Sequence, residues 1–312
     1  MDIFFIFLGL CGLVVGAELV IKGALRIAQY YGFSHTFVGL TVLALGTDLP
    51  ELFVVLAGSL THPAGGVSDV LVGEVVGSAM SQLMIVLGVL GFLRSTKVKS
   101  STVARDGFVA LFAVAMVFVF STDGGLLAFE GWVMIVMYFV YLFWLYVQER
   151  GDYVKSVVVE KESVFWSLLF LFGGFGLLTG AAKITLDSAL QLSQYFGIPE
   201  YIIGFYVIGL GTSLPELVTS FVALKRRASG MAVGNILGSN VLDLLFVLGV
   251  GATIAPLRVS SAVVFLDLPV LAFTTGFVVF YLLRTKKITK NMSLGLVLGY
   301  LCFSFLKFGL LL

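Results

Sequence analysis

Two hexapeptides at an offset of 165 residues combine a proline, a hydroxyl and a carboxylate inside otherwise apolar sequence. The first is Gly46-Thr47-Asp48-Leu49-Pro50-Glu51, and the second is Gly211-Thr212-Ser213-Leu214-Pro215-Glu216. Proline has no backbone N–H and its ring clashes with the carbonyl four residues earlier, so each segment should interrupt a helix. Carboxylate, hydroxyl and backbone carbonyl oxygens are the ligands of hard cations such as Ca²⁺, which bind about six to eight of them. The two segments therefore predict a cation site at two helix interruptions.

The composition around both segments is that of a membrane protein. Of the 312 residues, 59% are hydrophobic and 12% are charged, against roughly 45–50% and about 25% in soluble domains. Apolar runs of about 20 residues, enough to cross a hydrocarbon core roughly 30 Å thick, recur along the chain. Charge is costly in that medium, and no Lys or Arg lies within a helical turn of Glu51 or Glu216. A transported cation is therefore the expected counter-charge.

The helix that follows each hexapeptide adds polar side chains at helical spacing. Glu74, Ser78 and Gln82 are four residues apart, and so are Ser239 and Asp243. Each set therefore lies on one helix face, where it can supply further oxygen ligands. Glu74 lies one turn nearer the outer surface, where it either lines an access path or is simply hydrated.

Apolar windows between polar breaks predict ten membrane helices, near 3–30, 35–60, 67–93, 103–122, 126–148, 163–195, 199–224, 230–255, 261–283 and 292–311. The connections after the odd-numbered helices carry nearly all of the loop cations: Arg94, Lys97, Lys99, Arg105, Arg150, Lys155, Lys161, Lys225, Arg226, Arg227, Arg284, Lys286, Lys287 and Lys290. The opposite connections hold only Arg258. Because basic loops remain in the cytoplasm, both termini are predicted to be extracytoplasmic.

The chain is also predicted to be an internal duplication. The highly charged stretch 149–162 forms a short cytoplasmic linker between two five-helix repeats, 1–148 and 163–312. The hexapeptides match at an offset of 165, and Gly73 to Ser78 matches Gly234 to Ser239 at an offset of 161. An odd number of helices per repeat makes the second repeat enter the membrane from the opposite face. Inverted repeats of this kind are typical of secondary transporters, whose ion sites lie near the midplane between interrupted helices.

These motifs resemble those of the cation/calcium exchanger family, particularly its sodium/calcium branch of ten-helix prokaryotic members, along the whole chain. The second-half segments, Gly211 to Glu216 and Gly234 to Asn240 with Asp243, fit the family pattern fully. The resemblance implies a central calcium site at Glu51 and Glu216. It also implies flanking sodium sites with ligands from Thr47, Thr212, Ser213, Ser78, Ser239 and Asp243, and from the backbone carbonyls of Ala44 and Gly209. In the family's transport model, the long first and sixth helices slide across a stationary bundle.

The first repeat departs from the family pattern at four positions. Asp48 replaces the usual Ser, and Glu74, Ala79 and Gln82 each replace an Asn. We retain Asp48 and Gln82 among the predicted ligands. Asp48 adds a carboxylate about one turn from Glu51, and clustered carboxylates favour retention of a proton. Sodium stoichiometry therefore stays open, and protons stay a candidate for the coupling ion.

The sequence thus predicts an all-α membrane protein that acts as a secondary active antiporter in the cell membrane, exchanging Ca²⁺ for Na⁺ by alternating access. The alternative is exchange of Ca²⁺ or another divalent cation for H⁺. An inverted repeat within one chain argues against an ion channel. The sequence contains no Gly-x-x-x-x-Gly-Lys-Ser/Thr loop, which argues against an ATP-driven pump or other enzyme. We expect membrane lipid and the transported cations as partners, with no cofactor, nucleic acid or obligate protein partner.

One further acid is open to two interpretations. Asp267, two residues before Pro269 in the predicted ninth helix, is either functional or makes a local polar contact. A charge inside the bilayer is costly, so the partner of Asp267 distinguishes between these two interpretations.

Overall fold

The computed structural model describes residues 2–30, 44–62, 66–93, 96–149, 164–225 and 229–311, and most of them are helical. The helices are α1 (Asp2–Tyr30), α2 (Ala44–Thr47), α3 (Leu49–Thr61), α4 (Ser68–Leu93), α5 (Ser100–Phe120), α6 (Ala128–Glu149), α7 (Val164–Phe196), α8 (200–212), α9 (Leu214–Lys225), α10 (229–254), α11 (Val263–Thr285) and α12 (Lys290–Leu311).

Within the described ranges, nine helical stretches are long and apolar enough to cross a membrane. They coincide with nine of the ten predicted spans, with α8 and α9 together forming one of them. The other predicted span, 35–60, includes α2 and α3, and its first part lies outside the described residues. The predicted linker 149–162 also lies outside them, except for Glu149.

Both hexapeptides interrupt a helix, as their prolines predict. The chain leaves the α-helix at Asp48, between α2 and α3, with φ −87° and ψ 5°. It does so again at Ser213, between α8 and α9, with φ −74° and ψ 0°. Pro50 and Pro215 each occupy the second position of the following helix, where a missing N–H costs no hydrogen bond within that helix.

Three of the long helices and α8 contain a π-helical segment, in which the backbone hydrogen bond spans five residues. The segments are Gln82–Val86 in α4, Gly204–Ile208 in α8, Leu242–Val247 in α10 and Val263–Asp267 in α11. The α4 and α10 segments lie at equivalent positions, offset by about 161 residues. Such segments are frequent at functional sites, because they change the direction in which side chains point.

Two short antiparallel ribbons connect the halves. Strand β1 (Thr96–Lys97) pairs with β4 (Lys287–Ile288), and β2 (Gly125–Leu126) pairs with β3 (Leu257–Arg258). Each ribbon takes one strand from each half of the chain. The single helix α5 separates β1 from β2, so the two ribbons lie at opposite ends of the bundle.

The helix pair α1 and α7 packs along its length, while α4 and α10 are the most deeply buried spans. Gly12 lies against Ala181 and Gly16 against Leu178, so residue numbers rise in one helix as they fall in the other. The pair is therefore antiparallel. Small residues permit this close contact, as is usual between helices in lipid.

Candidate cation site

The site forms where α4 crosses α8, and glycines set the distance between the two helices. A Cβ on Gly77 would overlap the backbone carbonyl of Phe205, and one on Gly209 would lie 2.6 Å from the carbonyl oxygen of Glu74. Backbones can approach this closely only where side chains are absent. The crossing brings the polar face of α4 against the interruption at Ser213.

Ser78 is the centre of the contacts between the two hexapeptides. Its hydroxyl donates a hydrogen bond to Oε1 of Glu51 across 3.0 Å and lies 2.9 Å from the hydroxyl oxygen of Ser213. Ser213 also donates to the backbone carbonyl of Gly209 at 2.7 Å. Ser78 thus joins the Glu51 carboxylate of the first hexapeptide to the Ser213 hydroxyl of the second, which in turn is bonded to the Gly209 carbonyl.

Gln82 links α4 to α10. Its amide nitrogen donates to Ser78 Oγ and to Asp243 Oδ2, both at 3.1 Å, while its amide oxygen accepts a hydrogen bond from Asn240 Nδ2 at 2.8 Å. Gln82 is fully buried, and three of its hydrogen-bonding positions are used. It therefore fixes where Asp243 lies relative to Ser78.

Glu74 belongs to the same buried cluster. The hydroxyl of Thr212 donates to its Oε1 across 3.3 Å, and its Oε2 has no hydrogen-bond partner among the described residues. Because the residue has no exposed surface, the interpretation of Glu74 as a hydrated surface residue is wrong. Sequence spacing could not show this, because the burial comes from α8 lying across α4.

The carboxylates of Asp48 and Glu216 also belong to the cluster. Asp48 is next to Ser239 and Glu216, and Glu216 is also within electrostatic range of Glu51 and Asp243. Asp48 is near enough to Ser239 and Glu216 to interact with both, but among the described residues no oxygen of these three side chains makes a hydrogen bond of good geometry. Buried polar atoms normally have partners, so this set of oxygens is suited to an added ligand.

The cluster has a large excess of negative groups. Glu51, Glu74, Glu216, Asp48 and Asp243 are each at most 1% exposed, and no described Lys or Arg forms an ion pair with any of them. No three of the described acidic, His or Cys side chains converge tightly enough to bind a metal ion by themselves. A cation here would therefore take hydroxyl and carbonyl ligands together with carboxylates, which suits Ca²⁺ and Na⁺.

The structure brings together nearly all of the side chains predicted as ligands. They are Asp48, Glu51, Ser78, Gln82, Thr212, Ser213, Glu216, Ser239 and Asp243, with the Gly209 carbonyl among them. Thr47 is buried directly before the first interruption. Ala44 begins α2, one turn before Thr47. The roles of these residues as ligands stay predictions.

A buried ion pair lies outside this cluster, and the sequence analysis named only its acid, Asp267. Lys307 Nζ lies 2.8 Å from Asp267 Oδ2, and both side chains are fully buried. The contact of Asp267 is therefore with another helix rather than local, because Lys307 lies 40 residues further along the chain. The sequence did contain a signal for this pair, because Lys307 is an isolated Lys in an apolar span and such a residue needs a partner.

Comparison with known proteins identifies the family. A model of the sodium/calcium exchanger protein family matches residues 1–147 and 166–309. The uncharacterized membrane protein MJ0091 of Methanocaldococcus jannaschii is 32% identical, with 78% of this chain and 79% of that protein covered. The sodium/calcium exchanger MaX1 of Methanosarcina acetivorans is 25% identical, with 95% of each chain covered.

The fold agrees with the sequence match. A solved structure of the sodium-calcium exchanger NCX_Mj superimposes with a TM-score of 0.66 at 27% identity, covering 96% of each chain. The apolar helices and this similarity make the protein an integral membrane protein. With a family match across both halves and the same fold, this chain belongs to the sodium/calcium exchanger protein family.

Proposed function

We propose that this protein is a secondary active antiporter that exchanges Ca²⁺ for Na⁺ across the cell membrane. The observation that carries the proposal is a group of five buried carboxylates, three at the helix interruptions and two on the adjoining helices α4 and α10. Each has an oxygen without a hydrogen-bond partner among the described residues, and none has a described basic partner. Leaving such charges uncompensated in the bilayer is costly, so a cation is the natural partner. The names of MaX1 and NCX_Mj as sodium/calcium exchangers support the choice of ions.

Calcium takes the central position between Glu51 and Glu216 in this proposal. Both carboxylates retain unpartnered oxygens, two on Glu216 and one on Glu51. Each comes from a helix that begins immediately after an interruption, α3 or α9. Two opposed carboxylates match the charge of a divalent cation and leave the hydroxyls and carbonyls for the remaining coordination positions.

Sodium takes two flanking positions. The first has Ser78, Thr212, Ser213 and the Gly209 carbonyl, which the contacts around Ser78 bring together. The second lies on the side of Asp48 and would have these ligands: Asp48, Thr47, Ser239 and the Ala44 carbonyl. Asp243 is oriented by Gln82 toward the first group. Overlap of these positions with the central one would make the two ions compete for the same oxygens.

The helix arrangement supports an inverted ten-helix repeat. In that topology β1 and β4 lie in loops on the cytoplasmic side, and β2 and β3 in loops on the opposite side. The observed pairings join strands that the topology places on the same side. A C-terminal reporter that is active only outside the cytoplasm tests the orientation. We expect the fusion to be active, and an inactive reporter on a fusion that still transports calcium would contradict the orientation.

Alternating access is proposed to occur by movement of α1 and α7 across the remaining helices. These two helices pack on each other along their length and are among the least buried spans. They also border the site, since the position of a Gly211 Cβ lies 2.6 Å from Leu10 and that of Gly46 meets Ile21. Their movement would therefore expose one side of the cluster at a time.

The decisive experiment is ⁴⁵Ca²⁺ uptake into proteoliposomes under an imposed sodium gradient. We expect uptake that depends on the direction and size of that gradient. Absence of sodium-driven calcium flux would contradict calcium/sodium exchange. If a pH gradient drives uptake in the absence of sodium, the protein is instead a calcium/proton antiporter.

A further inference from the structure

Lys307 and Asp267 form a fully buried ion pair outside the cluster of five carboxylates. The 2.8 Å contact between Lys307 Nζ and Asp267 Oδ2 joins α12 to the π-helical segment at the start of α11. Replacing a buried ion pair by apolar residues is often harmless to stability, so stability alone is a weak reason for its presence. Charged residues inside a membrane span are functional candidates by default.

The ammonium group of Lys307 also contacts aromatic rings. Its Nζ lies 3.5 Å from the centroid of the Phe205 ring, and the Tyr201 ring is 5.0 Å away. Tyr206 and Phe303 complete the surroundings, each at 5.6 Å. A cation over a ring face is attracted by the electron density there, and strongly so away from water. Lys307 therefore holds α8 as well as α11.

Phe205 is the residue through which this contact can reach the cation site. It lies in the π-helical segment Gly204–Ile208, directly before Gly209. Its backbone carbonyl packs on Gly77, the neighbour of Ser78, while its ring faces Lys307. The segment is thus held from two sides. A shift of Phe205 would move Gly209 and the two residues, Thr212 and Ser213, that follow one turn later.

The equivalent acid in the first half is held differently. Asp106 lies 161 positions before Asp267 and accepts hydrogen bonds from Arg105 at 2.6 Å and from the Tyr141 hydroxyl at 3.0 Å. Helices α6 and α12 begin 162 residues apart, so the residue equivalent to Tyr141 is Phe303, which has no hydroxyl. Lys307 therefore supplies the donor that the second half lacks, and it adds the contact to Phe205.

We propose that the Lys307–Asp267 ion pair is a positioning element of the cation site. It fixes the segment Gly204–Ile208 through the Phe205 ring, and thereby the Gly209 carbonyl and the hydroxyls of Thr212 and Ser213. This inference rests on the proposed function, because those three groups are ligands only if a cation binds there.

Two variants that retain apolar packing test the proposal. F205L removes the ring but retains a large apolar side chain, and the double variant D267L/K307M removes both charges together. We expect each to raise the KM for calcium about tenfold, with maximal flux and the size-exclusion profile unchanged. K307R should stay close to wild type because it retains the charge. K290M, which removes an exposed Lys from the other end of α12, is the matched control.

Calcium binding is measured in parallel, as the calcium concentration that half-maximally raises the Tm of the purified protein. Folded F205L and D267L/K307M with wild-type calcium KM and wild-type binding would overturn the positioning role. If D267L/K307M fails to fold, F205L alone decides. A wild type that neither binds nor transports calcium contradicts the proposed function as well. If the wild type and F205L both bind calcium, and equally well, only the positioning role is contradicted.

Discussion

The hydroxyl of Thr212 donates a hydrogen bond to the Glu74 carboxylate across 3.3 Å. This contact joins the last residue of α8, before the second interruption, to a carboxylate on α4 from the first half of the chain. By resemblance to the family, position 74 is usually Asn. Glu74 therefore adds a negative charge beside the Thr212 hydroxyl, which we propose as a sodium ligand. The second Glu74 oxygen has no partner among the described residues and the side chain is fully buried, so we propose that Glu74 contacts a cation itself.

We expect E74Q to raise the KM for calcium about tenfold, equivalent to about 1.4 kcal/mol. The amide oxygen can still accept the hydrogen bond from Thr212, so the packing is retained and only the charge is lost. Calcium transport in proteoliposomes measures the change. D69N, which removes a half-buried carboxylate from the first turn of the same helix, is the control. Equal calcium KM values for E74Q and wild type would exclude a direct role for Glu74.

E51Q and E216Q should each lower calcium flux at least about tenfold. Each change removes one of the two carboxylates proposed to oppose the charge of the divalent ion, while the side-chain shape is preserved. Uptake of ⁴⁵Ca²⁺ with equal amounts of folded protein is the measurement. E18Q is the control, since Glu18 is an exposed acid paired with Lys22 at 3.6 Å. Normal flux in either Gln variant would remove that residue from the calcium site.

D48S restores the residue that the family usually has before Leu-Pro-Glu. Removing the extra carboxylate next to Ser239 and Glu216 lowers the negative charge on the side where we place a sodium ion. We therefore expect the half-saturating sodium concentration to rise about three- to tenfold, or about 0.7–1.4 kcal/mol. Sodium-driven calcium flux is measured over a range of sodium concentrations and at several pH values. An unchanged sodium dependence at every pH would refute a coupling role for Asp48.

G77A should destabilise the protein by about 1–3 kcal/mol and reduce transport, because the added Cβ overlaps the Phe205 carbonyl and separates α4 from α8. G295A, at an exposed glycine within α12, is the control for replacing a helical glycine. No described atom lies within 4 Å of a Cβ placed there. The Tm of the purified proteins and their calcium flux are compared. Similar behaviour of the two variants would contradict the role assigned to this helix crossing.

The local features of this protein follow from its sequence. Apolar runs of membrane length predicted ten spans, and nine of them coincide with helices in the described part of the chain, because hydropathy acts on each segment separately. The interruptions at Asp48 and Ser213 follow from Pro50 and Pro215, since a missing N–H and a ring clash are local effects. Spacing of four residues put Ser78 and Gln82 on one helix face, and both point into the cluster.

The tertiary structure decided which of these features meet. Glu74 is buried only because α8 crosses α4 at glycines, and Lys307 pairs with Asp267 only because the tertiary fold brings the end of α12 to the start of α11. The π-helical segments add to this, since the wider turn changes the direction of the side chains that follow. Such contacts depend on the distance between helices remote in sequence, and hydropathy and residue spacing carry no information about that distance. The sequence by itself therefore determined the helices, their interruptions and the chemical type of the site, while the packing of the helices decided the charge around it.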